Sequence, residues 1–299
     1  MSKHQIELFP NGSYSIRNLE LNESMHSSIG PWTEAQLIYL GQSELTERLR
    51  SLTEKSDLRP FVIYDVGFGI AANSLAVLEN RAAERLEPHL KSQVQISLIS
   101  FETDLEGIKS ALHHSEAFPF LKRNMTTIQS LLQNGEWSGV LDSGVSIRWQ
   151  LKEGDFRDSL GSCPPADLIF FDLYSPKSSP EFWGIQTFQS LFQKSYTPKN
   201  LGDRFTSVIT YSTSTSARAA LMLAGFYVGK GTATPGKKET TLASTRFELL
   251  RNPLDQDWIE HWRRSSQPLP RDLPNSWLQD SEDPIENRLL RSIRGKPAT

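Results

Sequence analysis

The stretch FVIYDVGFGIAANSL (61–75) decides the fold. Six apolar-dominated residues with one acid, Asp65, run into Gly67 and Gly69, and helix-compatible residues follow from about Asn73. A short run of this kind reads as a strand buried on both faces, as in a parallel sheet. Glycines directly after it permit a tight turn and let a ligand approach the backbone, and the helix start beyond them offers free N–H groups. A Gly-x-Gly turn alone also occurs as a plain strand-to-helix connection, so the rest of the chain has to decide what this one does.

Outward from that stretch the same alternation repeats. Strand-like runs are VQISLISF (94–101), VSIRWQL (145–151), ADLIFFD (166–172), FTSVITYS (205–212), FYVGK (226–230) and TTLASTRF (240–247). Helical patterns begin after Asp104 and near Pro180 and Thr215. The alternation predicts an α/β fold with a mostly parallel sheet, helices on both faces and an antiparallel final pair. Before it, GSYSIRNLE after an Asn-Gly turn predicts a hairpin or edge strand, and WTEAQLIYLGQSELTERLRSL predicts one amphipathic helix. Beyond about Asn252 the composition turns rich in Trp, Pro and Arg. The expected organisation is an N-terminal hairpin and helix over 1–50, the catalytic domain over 51–250 and a C-terminal extension over 251–299.

Composition narrows the class. With 37% hydrophobic and 22% charged residues and no run of about 18 apolar residues, the chain reads as a globular enzyme outside the membrane. The start, MSKHQIELFPNGS, lacks the apolar core of a secretory signal, and the single cysteine, Cys163, suits a reducing compartment, so the expected location is the cytoplasm. A net charge of −3 argues against wholesale coating of nucleic acid and leaves room for a local basic patch.

In open α/β sheets ligands bind beyond the carboxyl ends of the strands. Four such ends carry chemistry here. Gly67, Phe68 and Gly69 follow the first strand. Glu102 follows the second, where a carboxylate can accept both hydroxyls of a ribose or merely solvate a helix start. Asp155 follows the third and can accept from an adenine amine or cap the helix beginning FRDSL. Asp172 ends the fourth, either as a turn cap against Ser175 or as a carboxylate at the ligand crevice. The turn GFGIAAN lacks the third glycine of the dinucleotide fingerprint, which favours S-adenosylmethionine over a nicotinamide cofactor.

With those ends in place, the sequence resembles the methyltransferase domain of the MnmC-like family, tRNA 5-aminomethyl-2-thiouridine methyltransferases acting at the wobble uridine. The resemblance rests on NGS (11–13), ESMHSSIG (23–30), TEA (33–35), DVGFG (65–69), Glu102, Gly154-Asp155, DLYSPKSSPEFW (172–183), TYS (210–212), Arg218, AGF (224–226) and PGKKE (235–239). It departs where Ala71 stands in place of a glycine. It implies a Rossmann-like class I methyltransferase, with S-adenosylmethionine held by Asp65, Gly67, Phe68, Gly69, Asn73, Glu102 and Asp155, and no metal. It implies Asp172 as the catalytic residue, orienting the amine and accepting its proton or only orienting it. His26, Ser27, Tyr174, Pro176, Lys237 and Lys238 are the substrate-side candidates. The expected partner is tRNA, with a separate oxidase acting upstream, since 299 residues leave no room for the flavin domain of fused relatives. A small-amine methyltransferase or aminopropyltransferase of the same fold, and a non-catalytic relative, are the alternatives. For Trp183, and for Trp258 and Trp262 four residues apart, burial is the expected role.

Overall fold

A computed structural model describes residues 3–55, 57–80, 94–141, 144–197, 203–280 and 282–298. The chain divides into two compact units. The first comprises Met1–Ser159 and Leu168–Asp172, the second Leu160–Asp167 and Leu173–Thr299. Among the described residues no helix is long and apolar enough to cross a membrane.

The first unit opens with a three-stranded antiparallel sheet of β1 (His4–Leu8), β2 (Tyr14–Asn18) and β3 (Glu23–Ser24). The Asn-Gly signal marks the β1–β2 turn: the Asn11 Oδ1 accepts from the Ser13 N–H at 3.0 Å, and Gly12 takes the left-handed φ of 85° that the turn requires. The stretch expected as one helix is broken. Helix α1 (Pro31–Glu34) runs into a π-helical turn at Ala35–Leu40, and α2 (Leu45–Glu54) starts only after Glu44, held at φ 50°. Apolar residues at helical spacing recorded a buried face but not the wider turn, because a single turn of six residues is too short for its period to be told from that of an α-helix.

The main sheet of this unit contains β4 (Phe61–Val66), β5 (Gln95–Glu102), β6 (Glu136–Val140), β7 (Ser146–Glu153) and β8 (Leu168–Phe171), in the order β8-β4-β5-β7-β6. Every β4 residue is buried, as expected of a strand with neighbours on both sides and cover on both faces. Pairing is parallel from β8 to β7, with Asp65 opposite both Ser100 and Phe170, and β6 adds an antiparallel edge. The EWSGV run of β6 alternates exposed and half-buried residues, so its weak apolar signal did not mark it as a strand. Beyond β4, α3 (Ala72–Leu78) is buried from Ala72 to Val77. Helices α4 (Glu106–His113), α5 (Pro119–Arg123), α6 (Met125–Asn134) and α7 (Phe156–Ser159) also belong to this unit.

The second unit contains α8 (Ile185–Gln193), β9 (Ser207–Thr210), α9 (Thr215–Ala224), β10 (Tyr227–Lys230) and β11 (Thr241–Ser244), followed by α10 (Gln256–Arg264), α11 (Asn275–Leu278) and α12 (Ile285–Ile293). Strands β10, β11 and β9 are antiparallel neighbours, which includes the final pair read from the sequence. Near Pro180 the chain forms a single 3-10 turn, Pro180–Phe182, and α8 starts three residues later. Helix α9 is capped by Ser214 and stopped by Gly225 at φ 116°. A methyl there would lie 2.9 to 3.0 Å from the Phe192 ring, so glycine serves both the turn and the helix packing. Trp258 and Trp262 are buried, as their spacing implied.

Candidate active site

The glycine turn after β4 carries two left-handed residues, Gly67 at φ 95° and Gly69 at φ 53°. The turn folds back on β5, the N–H groups of Gly67 and Phe68 both donating to the Phe101 carbonyl at 3.1 Å. Ala71 also lies in the left-handed region, at φ 65°, fully buried at the cap of α3. A residue with a Cβ in that conformation costs roughly 1–2 kcal/mol, and a glycine would not. The departure from the family pattern is therefore a point of backbone strain inside the turn.

Glu102 clamps this turn. Its Oε2 accepts from the Gly69 N–H at 2.9 Å, and its Oε1 accepts from the N–H groups of Thr103 at 2.8 Å and Asp104 at 3.1 Å. Burial raises its pKa, and these three donors oppose the rise. Asp65 is fully buried beneath the turn: Oδ2 accepts from Ser74 Oγ at 2.5 Å and Ser100 Oγ at 3.1 Å, and Trp149 Nε1 donates to that same Ser100 hydroxyl at 2.9 Å. Its Oδ1 has no hydrogen-bond partner among the described residues. Burial pushes Asp65 up to about 7 against the two serine hydrogen bonds.

Asp172 emerges from β8 with its N–H donating to the Val66 carbonyl at 2.9 Å. Asn73, at the start of α3 and 99 residues earlier, donates from Nδ2 to Asp172 Oδ2 at 2.8 Å. The structure thus joins the glycine turn's helix to the strand-end acid. Burial first, and the negative charge of Glu34 second, push Asp172 up to about 8, while the nearby Tyr39 hydroxyl and the Asn73 hydrogen bond act the other way. Asp172 is nevertheless only half-buried, so the group is poorly solvated yet reachable. Such a carboxyl can exchange a proton with a ligand near neutral pH, which an ordinary aspartate near 3.8 does poorly.

Asp155 sits two residues beyond β7, and its carboxylate is engaged locally. Arg157 Nη2 donates to Oδ2 at 2.5 Å and the Arg157 N–H donates to Oδ1 at 2.9 Å, which holds the acid below its usual pKa. His26 Nδ1 lies 3.0 Å from Ser15 Oγ, and burial pushes the imidazole down to about 3, so it is neutral at physiological pH. The Ser27 N–H donates to Glu34 Oε2 at 2.8 Å. Glu34 and Tyr39, with Ser74 and Ser100, are the members that sequence reasoning missed. The signal for Glu34 was an acid on an otherwise apolar helical face, 4% exposed in the fold.

The remaining candidates belong to the second unit. Lys237 places its ammonium 4.3 Å from the centre of the Tyr211 ring and donates to the Tyr211 carbonyl at 3.1 Å. Trp183 meets Tyr211 edge-on and donates from Nε1 to the Tyr174 carbonyl at 2.8 Å, so this tryptophan is a packing residue that props the loop from Leu173. Lys238 is exposed, Tyr174 and Pro176 are half-buried, and Pro176 lines a surface groove. Arg218, 3% exposed, ties the PGKKE stretch to β11: it donates to Glu239 Oε1 at 2.7 Å, Thr241 Oγ1 at 2.9 Å and the Thr240 carbonyl at 2.9 Å.

Residues 131–246 match the family model described as S-adenosyl-L-methionine-dependent methyltransferase. The chain is 28% identical over 178 residues to the tRNA 5-methylaminomethyl-2-thiouridine biosynthesis bifunctional protein MnmC of Polaromonas naphthalenivorans, covering 59% of this chain and 26% of that protein. Its counterpart in Burkholderia thailandensis is 27% identical over 226 residues, covering 71% of this chain and 31% of that one. The chain therefore spans about a third or less of the length of these bifunctional relatives. The crystal structure of MNMC2 from Aquifex aeolicus superposes with a TM-score of 0.65 at 21% identity, covering 98% of this chain and 85% of that one, which shows the shared α/β class I methyltransferase fold. By these likenesses the chain resembles S-adenosyl-L-methionine-dependent methyltransferases, and among them the MnmC proteins, on the shared α/β class I fold.

Proposed function

We propose that the protein transfers a methyl group from S-adenosylmethionine to the 5-aminomethyl group of a wobble uridine in tRNA, with or without 2-thiolation. The observation that carries this reading is the Asn73–Asp172 hydrogen bond, which sets a proton-accepting carboxyl beside the cofactor-type turn.

The residues present fit the cofactor. Positive-φ glycines at 67 and 69 expose backbone, and Met25 Sδ lies at ordinary contact distance, 3.9 Å, from where a Cβ on Gly69 would stand. Glu102 offers a strand-end carboxylate, and the buried Asp65 keeps an oxygen beneath the turn with no hydrogen-bond partner among the described residues. Asp65, Gly67, Phe68, Gly69 and Glu102 would hold the cofactor, Asn73 would link it to the acid, and Asp155 would border the adenine side with Arg157 attached. Bound there, the cofactor supplies an electrophilic methyl group on a sulfonium.

What the chain must supply is alignment and proton management. An alkylammonium has no lone pair to attack with until it loses a proton. Asp172, with a pKa near 8 rather than 3.8, is close enough to an amine to accept that proton directly or through water. Asn73 fixes one carboxyl oxygen, leaving the other for the amine. His26, neutral, and Ser27, whose backbone is tied to Glu34, would border the substrate side rather than move protons.

The test incubates the purified protein and S-adenosylmethionine with tRNA bearing unmethylated aminomethyluridine, with free amines in parallel, and reads nucleosides by mass spectrometry. One added methyl on the aminomethyl nitrogen is expected. Methylation of free amines with none on the tRNA would overturn the reading.

A further inference from the structure

We infer that residues 266–271 of the C-terminal extension and the loop after Asp172 form a groove that binds RNA backbone phosphates, an inference that rests on the RNA-substrate reading. The groove lies wholly within the second unit and has a volume of about 620 Å³. Lys177, Arg271 and four serines line it between an apolar wall of prolines, Leu269 and Trp183, and no aspartate or glutamate is among its lining residues.

The two cations are exposed and have no ion-pair partner among the described residues. Three other arginines of the extension are paired, Arg263 with Glu286, Arg288 with Asp280 and Arg291 with Asp283, whereas Arg264 and Arg294 do not line the groove. In a chain of net charge −3, two cations without ion-pair partners on an acid-free groove that also presents four serine hydroxyls favour an anion there. Arginine, lysine and serine are the side chains that hold nucleic-acid phosphates, positioning the strand without reading its bases.

The wall is fixed in place. Asp272 accepts from the N–H groups of Ile185 and Gln186, both at 2.8 Å, and so occupies the start of α8. A Cβ on Gly184 would fall 2.4 to 2.6 Å from that carboxylate, so the glycine makes room for the clasp. At the other end Trp262 Nε1 donates to the Pro268 carbonyl at 2.8 Å. The segment between is pinned on both sides, so the backbone that carries Arg271 is already in place, and only its side chain has to order on binding. In sequence, Lys177 follows the proposed catalytic acid by five residues, so the loop that starts at the chemistry also carries one phosphate contact.

The experiment measures binding of an anticodon stem-loop RNA by fluorescence anisotropy across a salt series, for the full chain and for Lys177→Gln and Arg271→Gln. Each substitution should lower the slope of log affinity against log salt by about 1 and weaken binding roughly 5–10-fold at 0.1 M salt. Lys122→Gln, an exposed lysine already paired with Glu116, should leave both unchanged. Asp272→Ala, which releases the wall but keeps both cations, should weaken binding with little change in slope. Unchanged affinity and slope in both cation variants, or no binding by the wild type, overturns the groove. Groove-dependent binding without methyl transfer would sustain it while removing the proposed reaction. Methyl transfer with unaltered KM in the cation variants would do the reverse.

Discussion

A carboxyl whose folded pKa is about 8 is suited to proton transfer at a cost to stability, and the role proposed for Asp172 carries that cost. In the unfolded chain it titrates near 4, so the fold holds its proton more tightly. Its stabilising contribution is complete below about pH 4 and is lost as pH rises through 8. Asp172→Asn cannot ionise and escapes that loss. The variant should match the wild type in thermal melts at pH 4 and exceed it at pH 8.5 by on the order of 1 kcal/mol, solvent exposure moderating the gain. The same change removes the proton acceptor and should lower kcat by roughly 10²–10⁴-fold with cofactor binding retained in calorimetry. A variant within threefold of wild-type turnover would deny Asp172 the role. Glu34→Gln isolates the electrostatic part: deleting the like charge lowers the pKa of Asp172, so the basic rise of kcat/KM should move to lower pH. A limb that stays in place would mean that burial alone sets the acid.

At the scale of elements, the segment 266–271 and helix α8 depend on each other through Asp272. Gly184 caps α8 with extended backbone and no side-chain bond, and the side-chain acceptor for its first N–H groups, Asp272, comes from 87 residues away. Asp272→Ala should destabilise the second unit by about 1–2 kcal/mol, the usual worth of a helix cap, measurable in urea unfolding followed by tryptophan fluorescence. No change in midpoint would mean that the clasp is incidental. This clasp was not legible in the sequence, because a capping aspartate normally stands next to its helix, and Asp272 sits in a Pro- and Arg-rich stretch that reads as a tail. The buried strands were legible for the opposite reason: runs such as FVIYDV and LIFF are apolar throughout and can only be central. Between the extremes lie the π turn at Ala35–Leu40 and the edge strand Glu136–Val140, whose patterns are compatible with more than one local structure.

For the whole molecule, what the sequence exposed was the set of strand ends, and what it hid was which side chains meet. Gly69 and Glu102 were expected to share a ligand, and they touch directly. The Asn73–Asp172 bond and the Glu34–Asp172 repulsion join segments with no local pattern between them, so only the packed fold brings them out. All of the proposed cofactor contacts lie in the first unit, whereas the proposed phosphate groove lies in the second. This division makes a prediction about where a ligand acts. At a hundred times its Kd, S-adenosylmethionine should stabilise the state it binds by about 2.7 kcal/mol. Hydrogen exchange should therefore slow at residues 65–73 and around Glu102, where the turn's N–H groups and the clamping carboxylate meet. The loop 173–180 and the segment 266–271 should keep their rates until an RNA stem-loop is added, and should then slow in turn. Cofactor-induced protection confined to the second unit would place the cofactor elsewhere and undo the assignment of the glycine turn.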